Sequence, residues 1–320
     1  MKAGFLPGIL LVLSLGLTAV ADDKENLPEG VIKETYDLRT KGTAARLNLY
    51  LKYPSGGKEA VQGVIIICKF GDREIEFDLT GEGGRFGYLL EFAEQNQLAM
   101  VAFGQPARRG WNRTVSSDQL SSREAAEQDR KLDASAREWS RIVGQFARKY
   151  GIPENDWLMY GLCGGAQYAH RIALREPERF KAVHVHYGGS YDIPTPRAKD
   201  LFWLVTSRAD EPAYIAAQRF YRKAREMNYN MILKGYNSRN APRDFTEQSE
   251  SNLQNLSVRF FNYALRNDEW DRTSEEAYTA DYVNGIVVPA ANAGWIPREQ
   301  SVDLPSRAIA SAWGEISDSN

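Results

Sequence analysis

The chain has 320 residues, with 40 basic and 42 acidic side chains, so its formal net charge is −2. Because 43% of the residues are hydrophobic and 26% are charged, the composition excludes a disordered or collagen-like chain, and the low net charge leaves no electrostatic footprint for nucleic acid. The length fits one large α/β domain or two small ones. Two cysteines, Cys68 and Cys163, are too few for a disulfide framework or a Cys-rich zinc site.

The amino terminus has the layout of a secretory signal peptide. Lys2 precedes an apolar run over residues 9–17, and the small-residue site Ala19-Val20-Ala21 follows. The apolar run is too short to span a bilayer comfortably. We therefore predict that residues 1–21 form a signal peptide, that the protein is exported to the periplasm or the extracellular space, and that it has no membrane association after cleavage.

Strand and helix patterns alternate along residues 22–267, which we predict to form one domain. The predicted strands are two antiparallel edge strands within 33–53 and buried strands at 64–68, 98–103, 157–160, 181–187, 201–206 and 230–233. The predicted helices cover 86–96, 135–150, 164–175, 212–227 and 244–266, and residues 104–132 are interpreted as polar and irregular. This alternation predicts an α/β fold with a doubly wound, mostly parallel sheet.

Residues 268–320 differ from the rest of the chain. They contain Pro289, Pro297 and Pro305 and show few helical signals before about residue 307. We predict a carboxyl-terminal extension that packs on the domain.

One motif carries most of the functional information. Gly161-Leu162-Cys163-Gly164-Gly165 follows the predicted strand 157–160 directly and precedes a predicted helix. This is the G-x-nucleophile-x-G pattern in a strand–turn–helix context, with Cys where Ser usually stands. Glycines are needed there because bulky side chains would collide where strand and helix approach each other. The backbone N–H of Gly164 would then point toward an oxyanion.

With this motif in this order of elements, the chain resembles the α/β-hydrolase family over about 33–266, and in particular its esterase-like and dienelactone-hydrolase-like members, some of which use Cys as the nucleophile. The resemblance implies that Cys163 is the nucleophile and that Gly164, together with Phe70 or Gly71, supplies the oxyanion donors. It also implies that Asp210 occupies the position of the catalytic acid, although Asp210 could instead cap the helix beginning near Pro212. Only about a dozen residues follow the strand 181–187 where lids are usually inserted, so the expected cap is minimal.

The sequence departs from the family at the catalytic base. The family places a His in the loop after the last strand, but no His occurs beyond residue 186. Asn240 occupies the probable base position, with Ser238 as the second choice. An Asn amide can form hydrogen bonds but cannot take a proton near pH 7. His186, near the carboxyl end of its strand, is a possible relocated base.

Less specific interpretations remain for the other His and Cys residues. His184 and His186 are two apart on a strand and face the same side, so they could chelate a metal, but no third ligand is evident and we predict none. His170 is expected to pack within its helix. Cys68 is expected in the core, although a disulfide with Cys163 is an alternative in an exported protein.

These features favour an exported hydrolase of carboxylic esters or related acyl substrates. It would act on a small molecule, need no cofactor and bind no nucleic acid. The alternative is a catalytically inactive pseudo-hydrolase that keeps its pocket for a ligand or a partner. The missing base distinguishes the two hypotheses, and the oligomeric state is left open.

Overall fold

The centre of the main sheet is built from runs of β-branched and other apolar residues. The computed structural model describes residues 27–40, 43–69, 79, 86–104, 122–209, 211–236 and 243–314. Within these residues, eight strands form one sheet in the order β1-β2-β4-β3-β5-β6-β7-β8. The strands are β1 Val31–Thr40, β2 Thr43–Lys52, β3 Gly63–Lys69, β4 Leu98–Gly104, β5 Trp157–Leu162, β6 Phe180–His186, β7 Phe202–Arg208 and β8 Asn230–Tyr236. All strands from β3 to β8 pair in parallel, and β1 and β2 are antiparallel to their neighbours.

Helices cover both faces of this sheet. They are α1 Gly87–Gln95, α2 Ser122–Tyr150, α3 Gly164–Arg175, α4 Pro212–Glu226 and α5 Arg243–Arg266. Helices α1 and α5 pack together on one face, and α2, α3 and α4 cover the other. Because both faces are covered, the central strands are buried on both sides, as in the run Val64–Ile67. The prediction of a doubly wound, mostly parallel α/β sheet is confirmed.

The first two strands differ in one respect from the prediction of two edge strands. Strand β1 lies at the edge, but β2 pairs with β1 on one side and with β4 on the other. Leu47, Leu49 and Leu51 of β2 are fully buried. An alternating pattern reports which face of a strand is covered and does not report whether a second neighbour is present, so the sequence could not decide this point.

Helix α2 begins earlier than predicted. It starts at Ser122 rather than near residue 135, so part of the segment that we interpreted as irregular is helical. The added turns are rich in charged residues and alanine, which are good helix formers, and Lys131 pairs with Glu127 one turn away. These turns have little apolar surface, so the hydrophobic periodicity did not reveal them.

The carboxyl-terminal extension forms a small structure of its own. Among the described residues, its three strands, β9 Tyr278–Asp281, β10 Ile286–Pro289 and β11 Ser301–Leu304, form an antiparallel sheet in the order β10-β9-β11. Helix α6 Arg307–Trp313 follows and packs on α5. The Trp313 indole N–H donates to the Leu233 carbonyl of β8 at 2.8 Å, which ties the extension to the edge of the main sheet.

The connection between β6 and β7 holds no large insertion. It runs over residues 187–201 and contains one 3₁₀ turn, Pro196–Ala198, which agrees with the expected minimal cap. No helix in the described residues combines the length and the apolar character needed to cross a membrane.

Candidate active site

Cys163 lies in the sharp turn between β5 and α3. Its φ is 54° and its ψ is −116°, a combination that few residues other than glycine adopt. The Cys163 N–H donates to the carbonyl oxygen of His186 at 2.9 Å, which holds the turn against the end of β6. The side chain of Cys163 is exposed. The turn therefore presents the thiol at the carboxyl edge of the sheet, where sites in parallel α/β sheets are found.

Gly161 allows the helix to approach the strand this closely. A Cβ at residue 161 would lie 2.7 Å from the Ala169 Cβ, 2.7 Å from the Gly165 carbonyl oxygen and 2.8 Å from the Ala166 Cα. Distances under 3.0 Å are shorter than real Cβ contacts, and these neighbours are backbone or short side chains that cannot swing away. The expected role of the first glycine of the motif, to prevent a collision between strand and helix, agrees with this geometry.

The amino terminus of α3 presents N–H groups beside the thiol. The N–H groups of Ala166 and Gln167 donate to the Cys163 carbonyl at 3.0 and 3.3 Å. Within the described part of the chain, the N–H groups of Gly164 and Gly165 have no hydrogen-bond acceptor. The first N–H groups of a helix lack intrahelical partners and favour negative charge nearby. Among the described residues the Gly164 N–H is therefore without an acceptor, and its oxyanion role stays a prediction.

Several predicted site residues lie outside the described residues. These are Phe70 and Gly71, predicted as second oxyanion donors, Asp210 at the acid position, and Ser238 and Asn240 at the base position. One related point can be checked, because α4 is described from its start. The residue at the N-cap of α4 is Glu211, and its side chain forms no capping hydrogen bond.

The imidazole ring of His186 lies between two tyrosine hydroxyl groups. Its Nδ1 lies 2.6 Å from the Tyr160 hydroxyl and its Nε2 lies 3.1 Å from the Tyr236 hydroxyl. A neutral imidazole has one donor and one acceptor nitrogen, so one tyrosine donates to the ring and the other accepts from it. His186 thus lies at the correct edge of the sheet, but its ring nitrogens are directed at hydroxyl groups on β5 and β8.

The other two histidines are buried and neutral. His184 contacts the Ser257 and Thr206 hydroxyls at 2.8 and 2.9 Å, and burial holds its pKa well below the usual value. Burial also lowers the pKa of His170 to about 3. The rings of His184 and His186 stack with their centroids 5.6 Å apart, as expected for residues on one face of a strand. In the ranges that the structure covers, no three His, Cys, Asp or Glu side chains gather as metal ligands.

A second polar cluster beside Cys163 was not anticipated from the sequence. The Tyr187 hydroxyl donates to the Glu211 carboxylate, and the Arg208 guanidinium donates to the same carboxylate at 3.0 Å and lies 5.3 Å from the centroid of the Tyr187 ring. Tyr187 has a positive φ of 62°. The hydrogen bond to Glu211 is the main cause that raises the pKa of the Tyr187 hydroxyl, and the nearby charge of a Cys163 thiolate adds to it.

Three of the polar residues near Cys163 and His186 share a position that can be found in the sequence. Tyr187, Arg208 and Tyr236 stand at or directly after the carboxyl ends of β6, β7 and β8. Because the carboxyl ends of parallel strands meet at one edge, polar residues at these positions could have been grouped from the predicted strands alone.

The two cysteines are both free thiols, so the alternative of a disulfide between them is wrong. Cys68 is fully buried within β3, and burial raises the pKa of its thiol well above the usual value. Its Cα pairs with that of Gly161, two residues before the turn, and the turn then directs Cys163 to the surface. Cys68 is a core residue, as predicted.

Comparisons with known proteins support the fold and nothing finer. No protein-family model and no curated protein matches this chain. A thermostable esterase matches with a TM-score of 0.54 and 14% identity over 75% of this chain, which spans 64% of the length of that protein. The LpqC poly(3-hydroxybutyrate) depolymerase from Bordetella parapertussis has a TM-score of 0.48 and 13% identity, with 74% of this chain and 94% of that chain covered. Esterase 2 of Thermogutta terrifontis has a TM-score of 0.43 and 12% identity, with 72% and 94% covered.

The strand order, the strained turn at Cys163 and the match to the thermostable esterase agree with one another. The chain has the α/β-hydrolase fold.

Proposed function

We propose that this protein is a hydrolase of carboxylic esters or related acyl compounds, with Cys163 as the nucleophile and a small molecule as the substrate. One observation carries the proposal. An exposed thiol stands in a strained turn at the carboxyl edge of the sheet, directly beside the N–H of Gly164, which has no acceptor among the described residues. Strain of this size is retained where the surrounding structure enforces it, and it is concentrated at functional sites.

The reaction would proceed through a thioester. The Cys163 thiolate attacks the acyl carbonyl carbon, a carbon–sulfur bond forms, and the carbonyl oxygen becomes an oxyanion that the Gly164 N–H stabilises. The oxyanion collapses, the carbon–oxygen bond to the alcohol breaks, and the departing alkoxide takes a proton from solvent water, leaving hydroxide. Water then attacks the thioester and releases the carboxylic acid and the thiol. Phe70 or Gly71 would supply the second donor, and Asp210 would fill the acid position.

The proton steps are the weak part of this site. Asn240, which we propose occupies the base position, cannot accept a proton, and loss of a general base costs roughly 10²–10⁴-fold in rate. Cysteine tolerates this loss better than serine, since thiols are a few per cent ionised near pH 7 and are intrinsically nucleophilic. We therefore propose a slow hydrolase. The predicted signal peptide further leads us to propose that it acts outside the cytoplasm.

Cys163→Ala is expected to abolish turnover of p-nitrophenyl acetate, because the alanine side chain has no nucleophilic atom. Release of p-nitrophenolate by purified protein measures the reaction, and intact mass should show one acetyl group on the wild-type chain after a short pulse. Cys68→Ala is the matched control. It removes the other thiol, which is buried, and should keep the acetylation. Equal turnover by Cys163→Ala and wild-type protein would exclude Cys163 as the nucleophile.

Asn240→His is expected to raise the rate of p-nitrophenyl acetate hydrolysis by about 10²-fold or more, because it restores a general base. Ser238→His tests, in the same assay, whether Ser238 rather than Asn240 occupies the base position. His186→Asn provides the opposite test. If His186 acts as a relocated base, this variant should lose the same factor in rate at a temperature at which it is still fully folded. An unchanged rate in all three variants would contradict the hypothesis that this is a hydrolase site from which only the general base is missing.

A catalytically inactive binding protein is the second candidate, and one observation favours it. Within the described ranges, no side chain forms a hydrogen bond with the Cys163 Sγ. Protection of Cys163 from iodoacetamide by non-hydrolysable acyl analogues, without acetylation by p-nitrophenyl acetate, would support this candidate. Acetylation of Cys163 followed by release of acetate would contradict it.

A further inference from the structure

A cavity of about 140 Å³ lies far from Cys163, where the extension meets the domain. It is bounded by α4, by the amino end of β8 and by the segment that leads into β11. Three arginines line it, Arg225, Arg272 and Arg298, together with one carboxylate, Asp303. The residues that line the cavity thus carry three positive charges and one negative charge, and Arg272 and Arg298 are also exposed to solvent.

Two of these arginines share the single carboxylate. Arg225 donates to Asp303 Oδ1 at 3.4 Å, and Arg272 Nε forms an ion pair with Asp303 Oδ2 at 3.3 Å. Arg225 also donates to the Tyr221 hydroxyl at 2.7 Å and to the Ser301 carbonyl. Arg272 donates to the Tyr229 carbonyl at 2.9 Å. One carboxylate cannot balance two guanidinium groups, so these contacts hold the arginines in place and leave one positive charge uncompensated.

Arg298 adds a second uncompensated charge. It belongs to the extension, and in the part of the chain that the structure describes its guanidinium has no hydrogen-bond or ion-pair partner. Its carbonyl oxygen accepts hydrogen bonds from Ser301, so the backbone beneath the side chain is fixed. The cavity thus has an excess of two positive charges on side chains that come from both α4 and the extension.

We propose that this cavity binds a small oxyanion of the phosphate class. Guanidinium groups present several fixed N–H donors that match the oxygen atoms of a phosphate. A water molecule takes about 30 Å³ in the liquid, so the cavity has room for a group with four oxygens. The anion joins Arg225 on α4 to Arg298 on the extension, and it thereby fastens the extension to the domain. The site lies at the amino end of β8, opposite the edge that carries Cys163, and does not depend on the proposed hydrolase activity.

The test is thermal unfolding of the full chain in potassium phosphate and in potassium chloride of equal ionic strength. Phosphate binds the folded state, so the melting temperature should rise saturably by about 2 °C or more above the value in chloride. Isothermal titration with phosphate should give one site per chain. A second titration uses glycerol phosphate in place of inorganic phosphate. Tighter binding of this ester identifies a phosphate monoester as the ligand, and tighter binding of the inorganic ion identifies free phosphate.

Arg298→Ala distinguishes a loss of phosphate binding from a loss of folding stability, because this arginine forms no ion pair in the described residues. The variant should melt close to wild type in chloride and bind phosphate at least tenfold more weakly. Arg222→Ala is the matched control, since Arg222 is an exposed arginine on α4 outside the cavity, and it should bind as wild type does. No rise above chloride, or equal phosphate binding by Arg298→Ala and Arg222→Ala, overturns the proposal.

Discussion

Gly161→Ala is expected to lower the free energy of unfolding by about 3 kcal/mol, at the upper end of the usual cost of overpacking. The added Cβ would lie within 2.8 Å of the Ala169 Cβ, the Gly165 carbonyl oxygen and the Ala166 Cα. None of these atoms is the far end of a flexible side chain, so relief requires α3 to move away from β5. The melting temperature should fall by roughly 6–12 °C.

The same shift should displace the thiol, because Cys163 stands between the two elements that separate. Denaturant unfolding measures the loss of stability, and the rate of iodoacetamide labelling reports on the thiol. Gly294→Ala is the matched control. A Cβ at residue 294 meets no atom within 4 Å, so this variant should stay within about 0.5 kcal/mol of wild type. Equal stabilities of the two variants would mean that the close approach of α3 to β5 at Gly161 does not contribute to stability.

Lowering the pH from 7 to 5 is expected to cost about 2 kcal/mol of stability through His170, and protonation of His184 adds to this loss. Burial lowers the pKa of His170 to about 3 and holds that of His184 well below its usual value. The unfolded chain then binds more protons than the folded chain between the folded pKa and the unfolded value near 6.5, so stability rises with pH there. The contribution of His170 is fully present above pH 6.5 and is lost as the pH falls toward 3, by about 2 kcal/mol between pH 7 and 5, and that of His184 is lost in the same direction.

Urea unfolding at half-unit steps from pH 7.5 to 4.5 measures this slope. His170→Gln and His184→Gln should each reduce the slope, and the double variant should reduce it further than either single variant. The comparison relies on slopes, since each variant also loses hydrogen bonds and starts from a lower stability. The carboxyl group of Asp192, whose pKa is lowered, contributes below this window. A double variant with the slope of wild type would show that the buried histidines are not the groups that titrate.

The sequence predicted most of the secondary structure because its patterns are local. The continuous apolar run at 64–68 identified a central strand, and the motif around Cys163 identified a turn between strand and helix. Hydrophobic periodicity did not reveal the charged first turns of α2, since that part of the helix has little apolar surface. It also did not show that β2 has two neighbours, because the alternation of a strand is the same in both cases.

The candidate site was only partly predictable for a different reason. Cys163 and Gly164 were predicted as site residues from the spacing of one motif, which is a local property. Tyr187 and Tyr236 were not singled out although they stand at or directly after the carboxyl ends of strands, and the contact of Tyr187 with Glu211 forms only when the sheet assembles. His186 was placed correctly at the carboxyl edge, but no sequence pattern indicates that its ring contacts Tyr160 and Tyr236.

The sequence by itself determined the class of fold, the position of the exposed thiol and the absence of a His beyond residue 186. These properties follow from local patterning and composition, which the chain carries whether or not it is folded. Only the tertiary structure decided that the two cysteines stay apart, that two of the three histidines are buried without charge, and that three arginines from α4 and the extension surround one cavity. Each of these depends on contacts between residues that are distant in sequence, and such contacts are fixed by packing rather than by spacing.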